Sequence, residues 1–204
     1  MAYLLAAALG YLLGNSSMAL YLSKLRGINM RAGGSGNLGA SNAVQLIGFK
    51  AGVLVALHDI GKAVLAVWLA QRLFPAVPYI GAVAGVCSVM GHIFPFYLNF
   101  KGGKGFASYF GVTLALNWKL ALILAVVVLA VTLITDYIVL GTVATTLSAP
   151  ICLGVMQRDW ILPAILLAAS AVIWYNHREN LVRIYHGTEY GLRGALRGDH
   201  RVKK

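Results

Sequence analysis

The 204-residue chain is 59% hydrophobic and 11% charged, with a mean hydropathy of +0.76. Soluble globular domains carry about 25% charged residues, so this composition excludes an ordinary water-soluble enzyme and predicts one membrane-embedded domain, residues 1–204. Seventeen Lys and Arg against six Asp and Glu give a net charge of +11. In so apolar a chain that excess points to anionic lipid head groups or phosphorylated substrates and away from nucleic acid. Cys87 and Cys152 lie inside apolar runs without CxxC spacing, which reads as packing and not as a redox or metal pair.

Residues 3–22 are apolar and long enough to cross roughly 30 Å of hydrocarbon. No basic region or clear cleavage site accompanies them, so they read as a first spanning helix and not a removable signal. Asn15, Ser16 and Ser17 interrupt the run and are expected to face other helices. After Lys24, Arg26 and Arg31 comes a polar loop, residues 33–42, GGSGNLGASN. Gly34, Gly36 and Gly39 formally match GxGxxG, but the dinucleotide reading needs a preceding strand, and a membrane helix precedes them. What remains is a run of Gly, Ser and Asn donors ahead of a helix expected to start near Ser41. Such a helix start is a ready anion site; the plainer reading is a flexible turn with Ser or Asn as cap. A ten-residue stretch exceeds what a cap requires.

The second span, residues 51–73, carries His58, Asp59 and Lys62. Ionisable groups inside a span are expensive and mark function by default. Asp59 and Lys62 are three apart, share a helix face and are expected to pair toward the bundle interior. Either the pair orients helices, or Lys62 or His58 reaches a substrate phosphate. Pro75 and Pro78 mark an external turn, and residues 77–97 form the third span. His92, near its end, is either packed and hydrogen-bonded or orients the loop that follows. That loop, residues 94–105, reads FPFYLNFKGGKG. Lys101, Gly102, Gly103, Lys104 and Gly105 suggest an anion nest of successive free N–H groups with mobile positive charge beside it. The alternative is a tight helix connection whose lysines mark the cytoplasmic side.

Residues 106–116 make only about 16 Å of helix. Asn117, Trp118 and Lys119 follow, and residues 120–135 are apolar again. Charge chooses between one long helix and two. With a turn at 117–119 the chain crosses seven times, and 13 of the 17 Lys and Arg lie inside against Arg72, Lys119 and Arg158 outside. Without the turn, the tail of Arg193, Arg197, Arg201, Lys203 and Lys204 would lie outside, against the positive-inside rule. The expected fold class is therefore an all-α integral membrane protein, a bundle of about seven transmembrane helices with the N-terminus outside and the C-terminus cytoplasmic. A short fourth helix is tolerable if tilted or shielded. Asp136 lies at the next inner turn. Residues 138–156 and 160–175 are the last two spans, with Thr and Gly in the former for close packing and Trp160 and Trp174 suited to the two interfaces.

The segment that follows begins His177, Arg178, Glu179, Asn180 and continues to Arg183, Gly187 and Glu189. If helical, His177, Asn180 and Arg183 share a face. A plain basic lipid anchor fits residues 193–204 better than this mixture of acids and amides. The topology places both glycine loops and this segment on one side of the membrane, which suggests two phosphate-bearing ligands, at least one of them lipophilic. Ser35 with His177 is the available nucleophile pair, but spacing places no acidic orienter. No metal-ligand spacing is convincing.

These stretches resemble those of the bacterial acyl-phosphate:glycerol-3-phosphate acyltransferase family, over nearly the whole chain. GSGNLGASN (34–42), GHIFPFYLNFKGGKGFAS (91–108) and HRENLVRIYHGTE (177–189) resemble its three signatures. DIGKA (59–63) resembles D-x-x-K-G, with Ala63 where glycine is usual. Ser41 stands where threonine is usual and keeps the hydroxyl; Gln45 stands where arginine is common and loses a charge. The resemblance implies transfer of a long-chain acyl group from acyl phosphate to the 1-hydroxyl of glycerol 3-phosphate, giving lysophosphatidic acid and phosphate. It implies the first acylation of phospholipid synthesis, at the cytoplasmic face of the bacterial inner membrane, with the lipid bilayer as surroundings and no cofactor, metal or obligate protein partner.

An acyl phosphate is already activated, so positioning and charge stabilisation can suffice without a protein nucleophile. Within the resemblance, Ser35, Lys104, His177 and Asn180 are the catalytic candidates. Gly34, Gly36, Asn37, Gly39, Ser41, Asn42, Lys101, Gly102, Gly103, Gly105, Arg183, Gly187 and Glu189 are the phosphate-binding candidates, with Asp59, Lys62 and His92 supporting. The base is His177 or an oxygen of the donor phosphate. The competing class is a transporter or scramblase of a phosphorylated lipid or anion, whose broken helices also bind anions. Polar stretches at one surface and the lack of visible inverted repeats count against it. A scaffold that binds anionic lipid through residues 193–204 is a third class.

Overall fold

The computed structural model describes residues 1–196. Arg197, Arg201, Lys203 and Lys204 of the basic tail lie outside the described residues. Among the described residues the secondary structure is helical throughout, with no strand, so the GxGxxG match lacks the strand a dinucleotide site requires. The chain divides into two compact units, Met1–Trp118 and the part from Lys119 onward.

The first unit holds α1 (Ala2–Gly14), α2 (Met18–Leu25), α3 (Ala40–Leu46), α4 (Phe49–Leu73), α5 (Ile80–Ile93), a 3-10 turn (Phe96–Leu98) and α6 (Phe106–Leu116). The first span, expected as one helix with polar interruptions, is two helices end to end. Ser17 is extended (φ −134°) and caps α2 by accepting the Leu20 N–H at 3.3 Å. A break inside hydrocarbon strands backbone carbonyls unless side chains reach them. Here Tyr97 Oη donates to the Asn15 carbonyl at 2.6 Å and Lys62 Nζ to the Ser16 carbonyl at 2.7 Å. Asn15 Oδ1 in turn accepts the Phe96 N–H at 3.1 Å, so the break in the first span and the end of the third satisfy each other.

Close helix packing makes that reach possible. Gly10 and Gly14 of α1 lie against the backbone of Ala84 and Ser88 on α5, and Gly91 of α5 lies against the Tyr11 carbonyl. A Cβ at any of the three would overlap those backbone atoms, the reason small residues recur four apart at membrane helix contacts. Gly111 of α6 meets the Ile60 carbonyl of α4 in the same way. The third span starts later than residue 77, because Tyr79 in the left-handed region (φ 54°) ends the preceding turn and α5 begins at Ile80.

Helix α6 ends at Leu116, Asn117 is extended (φ −155°), and α7 (Trp118–Thr135) begins at once. The break expected at 117–119 is therefore present. The second unit continues with α8 (Ile138–Gln157), α9 (Ile161–Tyr185) and α10 (Leu192–Leu196). Pro150 lies within α8 and has no N–H to give the Thr146 carbonyl. Ser170 Oγ of α9 donates to that carbonyl at 2.8 Å and Trp174 Nε1 to the Thr146 hydroxyl at 2.8 Å. The Trp174 indole thus ties α9 to α8. Helix α9 does not stop near residue 175 but runs on through the His177 segment.

Among the described residues, five helical stretches are long and apolar enough to cross a bilayer: Ala2–Leu25, Phe49–Leu73, Ile80–Leu98, Trp118–Thr135 and Ile138–Gln157. The described residues thus have the build of a helical, multi-pass membrane protein.

Candidate active site

The first glycine loop hangs on apolar anchors and one amide. Met30 and Leu38 are buried against Ala19 of α2, Ala43 of α3 and Val55 of α4. Between them Gly34 and Gly36 adopt positive φ (57° and 67°), which side-chain-bearing residues take only with strain. Asn42, fully buried on α3, organises the turn. Its Oδ1 accepts the Ser35 N–H at 3.0 Å. Its Nδ2 donates to the Met30 and Asn37 carbonyls at 2.9 Å each and to Gly33 at 3.3 Å. Asn42 thus works inside the loop, while Ser35 and Ser41 are exposed. Helix α3 begins at Ala40, close to the expected Ser41.

The second glycine loop departs from the expected nest. The Gly102 N–H bonds to the Ile93 carbonyl at 2.8 Å and the Gly103 N–H to the His92 carbonyl at 3.1 Å. Those amides are engaged, so Gly102 and Gly103 do not offer a run of free donors. Their lack of side chains has another use: a Cβ on Gly102 would strike the His92 carbonyl, and one on Gly103 the His92 imidazole. The chain reaches this fold through Asn99 and Phe100, both at positive φ (53° and 56°). Gly105 (φ 94°) then turns the chain into α6, directly after Lys104. The two loops are neighbours. Gly103 packs under the Leu38 carbonyl, and Arg31 Nη2 donates to the Lys101 carbonyl.

Beneath the second loop lies a buried polar cluster. Lys62 Nζ donates to Asp59 Oδ1 at 2.8 Å, to the Ser16 carbonyl at 2.7 Å and to His92 Nδ1 at 2.9 Å. An ammonium has three donors, and all three are taken, so Lys62 holds structure and does not reach for a phosphate. The expected Asp59–Lys62 pair is present. His92 Nδ1 also lies 3.4 Å from Asp59 Oδ1, and its Nε2 is the atom against Gly103. His58 Nε2 lies 3.0 Å from Ser16 Oγ and its Nδ1 3.4 Å from Asp59 Oδ1. These are the residue types of a nucleophilic triad, but Asp59 Oδ1 is committed to Lys62. Among the described residues no His, Cys, Asp and Glu group could hold a metal ion.

In the second unit, α9 carries His177, Asn180 and Arg183 at helical spacing. His177 Nδ1 donates to the Ile173 carbonyl at 2.8 Å, which makes Nε2 the basic nitrogen of the neutral ring. Helix α9 ends in a left-handed cap. Gly187 (φ 67°) follows the C-cap His186; the Gly187 N–H bonds to the Ile184 carbonyl at 3.0 Å and the Thr188 N–H to the Arg183 carbonyl at 2.8 Å. This reversal carries Glu189 back over the last turns, where Oε1 accepts from Asn180 Nδ2 and Oε2 from Arg183 Nε, both at 2.6 Å. Asn180, Arg183, Gly187 and Glu189 are thus one local construction.

Sequence reasoning did not give a site role to Arg31, Ser16, Asn15 or Tyr97. The break at 15–17 was visible, yet its partners lie far along the chain. Gly10 and Gly14, four apart in α1, are a readable signal of close packing.

Residues 4–187 match the model of the family described as glycerol-3-phosphate acyltransferase. A glycerol-3-phosphate acyltransferase of Clostridioides difficile (strain 630) is 36% identical over 193 residues, covering 92% of this chain and 94% of the relative. The glycerol-3-phosphate acyltransferase 1 of Deinococcus radiodurans is 38% identical over 190 residues, covering 93% and 95%. The crystal structure of PlsY, an integral membrane glycerol 3-phosphate acyltransferase, in its glycerol 3-phosphate form superposes with a TM-score of 0.88 at 33% identity, covering 94% of this chain and 96% of that one. Its lysophosphatidic acid form gives a TM-score of 0.86 at 32% identity, covering 98% and 100%.

Proposed function

Because the chain belongs to the glycerol-3-phosphate acyltransferase family, we propose that it moves a fatty acyl group from an acyl phosphate to the 1-hydroxyl of glycerol 3-phosphate. The hydroxyl oxygen bonds to the acyl carbon, the carbon–oxygen bond to phosphate breaks, and lysophosphatidic acid and inorganic phosphate leave. The observation that carries this reading is the packing of the two glycine loops side by side, Gly103 beneath the Leu38 carbonyl. One loop offers neutral donors at a left-handed turn, the other a lysine at a helix start.

The roles we assign draw on local geometry. Ser35 through its hydroxyl, Asn37 and Gly39 hold one phosphate, on the frame that Asn42 maintains; the Gly36 N–H, expected to join them, is taken by the Gly33 carbonyl at 3.0 Å, so Gly36 serves the turn. Lys104 holds the other, aided by the N-terminal amides of α6 that follow Gly105. Gly102 and Gly103 serve by close packing. His177 presents Nε2 as the base for the acceptor hydroxyl, unless a phosphate oxygen takes that proton. Asn180 and Arg183 act as donors whose orientation Glu189 fixes. The charge distribution supports seven crossings, with the N-terminus outside and the glycine loops facing the cytoplasm of a bacterial inner membrane.

The test is phosphate release by purified protein in detergent or lipidic phase, given palmitoyl phosphate with and without glycerol 3-phosphate. Release that needs both substrates, with equimolar lysophosphatidic acid, is the expected result. Release without acceptor would mean a hydrolytic site. No release in either case would overturn the reading and return the transporter class, tested by flux in liposomes. Lys104→Ala should abolish turnover; a near-native rate would remove Lys104 from the site.

A further inference from the structure

We propose that Arg31 is a further substrate-binding residue, whose guanidinium recognises a phosphate monoester at the junction of the two glycine loops. This rests on the reading above that the loops hold phosphate substrates. Between residues 32 and 45 the chain has no Lys or Arg. Gln45, whose carboxamide lies against Gly34, is neutral. A phosphate held by neutral donors alone forgoes the charge-assisted hydrogen bonds that are roughly twice as strong. Arg31 is the cation that stands at the start of this loop.

Its placement is fixed at the backbone and directed at the side chain. Asn29 Oδ1 accepts the Arg31 N–H at 3.0 Å and the Ala32 N–H at 3.3 Å, which locks the turn. The Arg31 carbonyl lies under Gly36, where a Cβ would come within 3.2 Å. The exposed side chain crosses to the second loop, and Nη2 donates to the Lys101 carbonyl. A guanidinium has five N–H donors in a rigid planar fork. The bond to Lys101 holds that fork at the junction of the loops, where the side chain is exposed. The same residue therefore sets the spacing of the loops and brings positive charge to the first of them. A lysine here keeps the charge and three donors but lacks the planar fork that meets two phosphate oxygens side by side.

The experiment is steady-state phosphate release by Arg31→Gln and Arg31→Lys, with each substrate varied in turn and inorganic phosphate as inhibitor. Arg31→Gln should raise the KM of one phosphate substrate, and the inhibition constant of inorganic phosphate, by roughly ten- to a hundredfold. Its kcat should change by less than about threefold, and Arg31→Lys should fall between. The KM that moves identifies the phosphate as that of glycerol 3-phosphate or of the acyl donor. A lowered kcat with both KM values and phosphate inhibition unchanged would mean a strap only and overturn the proposal. So would wild-type constants throughout. Lys104→Ala is run beside them: if it stays active, the reading of the loops fails; if it is dead while Arg31→Gln has normal constants, only the assignment of Arg31 fails.

Discussion

Replacing Asn42 by Ala would remove, in one step, the acceptor of the Ser35 N–H and the donors to the Met30, Gly33 and Asn37 carbonyls. The side chain is fully buried, so water does not readily replace it. Stranded buried groups of this kind cost about 1–3 kcal/mol each, and thermal unfolding in detergent should show a clear drop in Tm. Asn42→Asp should be worse than Asn42→Ala. It keeps the acceptor for Ser35 but turns a carboxylate oxygen toward three carbonyls. Direct phosphate binding by Asn42 predicts the reverse pattern, a raised KM with Tm unchanged. Lys62 poses a similar question in a drier setting. Lys62→Met leaves Asp59 buried without its counter-ion, which costs about 3–5 kcal/mol. Joining Asp59→Asn to it should cost less than the two single changes added together, and a double-mutant cycle on Tm measures that coupling. The Asp59–Lys62 pair was readable because the two residues are three apart on one helix. The Ser16 carbonyl and His92, 46 and 30 residues from Lys62, were not, because no local pattern announces which helix break a lysine will serve.

At the scale of elements, the last turns of α9 and their reversal act as a unit. Gly187 allows the left-handed cap, and the cap returns Glu189 to Asn180 and Arg183. Glu189→Gln is nearly isosteric, but the amide offers one acceptor where two donors need two. One of Asn180 and Arg183 then loses its bond to residue 189. Turnover should fall by about tenfold or more, on the scale of one charge-assisted hydrogen bond, with helix content by circular dichroism unchanged. A wild-type kcat would show that Glu189 does not orient the site. The spacing of His177, Asn180 and Arg183 on one face was legible from period alone, and the structure keeps it. The second loop was legible as a special turn but not in its chemistry. Three glycines near two lysines looked like free donors, whereas His92 and Ile93 take the amides of Gly103 and Gly102. Whether a glycine's N–H is free depends here on the segment that holds His92 and Ile93, earlier in the chain, which composition does not report. The Arg31–Lys101 bond, spanning 70 residues, was hidden for the same reason.

For the whole molecule, composition and charge give the class, and hydropathy gives most span positions; the count of crossings rests on two unusual helices. Helix α6 has 11 residues, about 16 Å, roughly half the hydrocarbon thickness. Helix α9 has 25 residues but carries Arg178, Glu179 and Arg183 in its last turns, so length and hydropathy alone do not mark it as a span. If both cross, residues 119 and 158 face outside while residues 50 and 101 face the cytoplasm. If α6 does not cross, residue 119 shares a side with residue 101. Cys87 and Cys152 are both free thiols and are first replaced by alanine. Single cysteines at Lys119, Arg158, Lys50 and Lys101 are then treated with a membrane-impermeant maleimide in intact cells. Lys119→Cys and Arg158→Cys should label at once, and Lys50→Cys and Lys101→Cys only after the membrane is permeabilised. Labelling of Lys119→Cys only after permeabilisation would sink the seven-crossing arrangement. It would also move the basic C-terminal region outside, where the positive-inside rule disfavours it. The short α6 is therefore the element on which the orientation of the molecule turns, and one labelled position decides it.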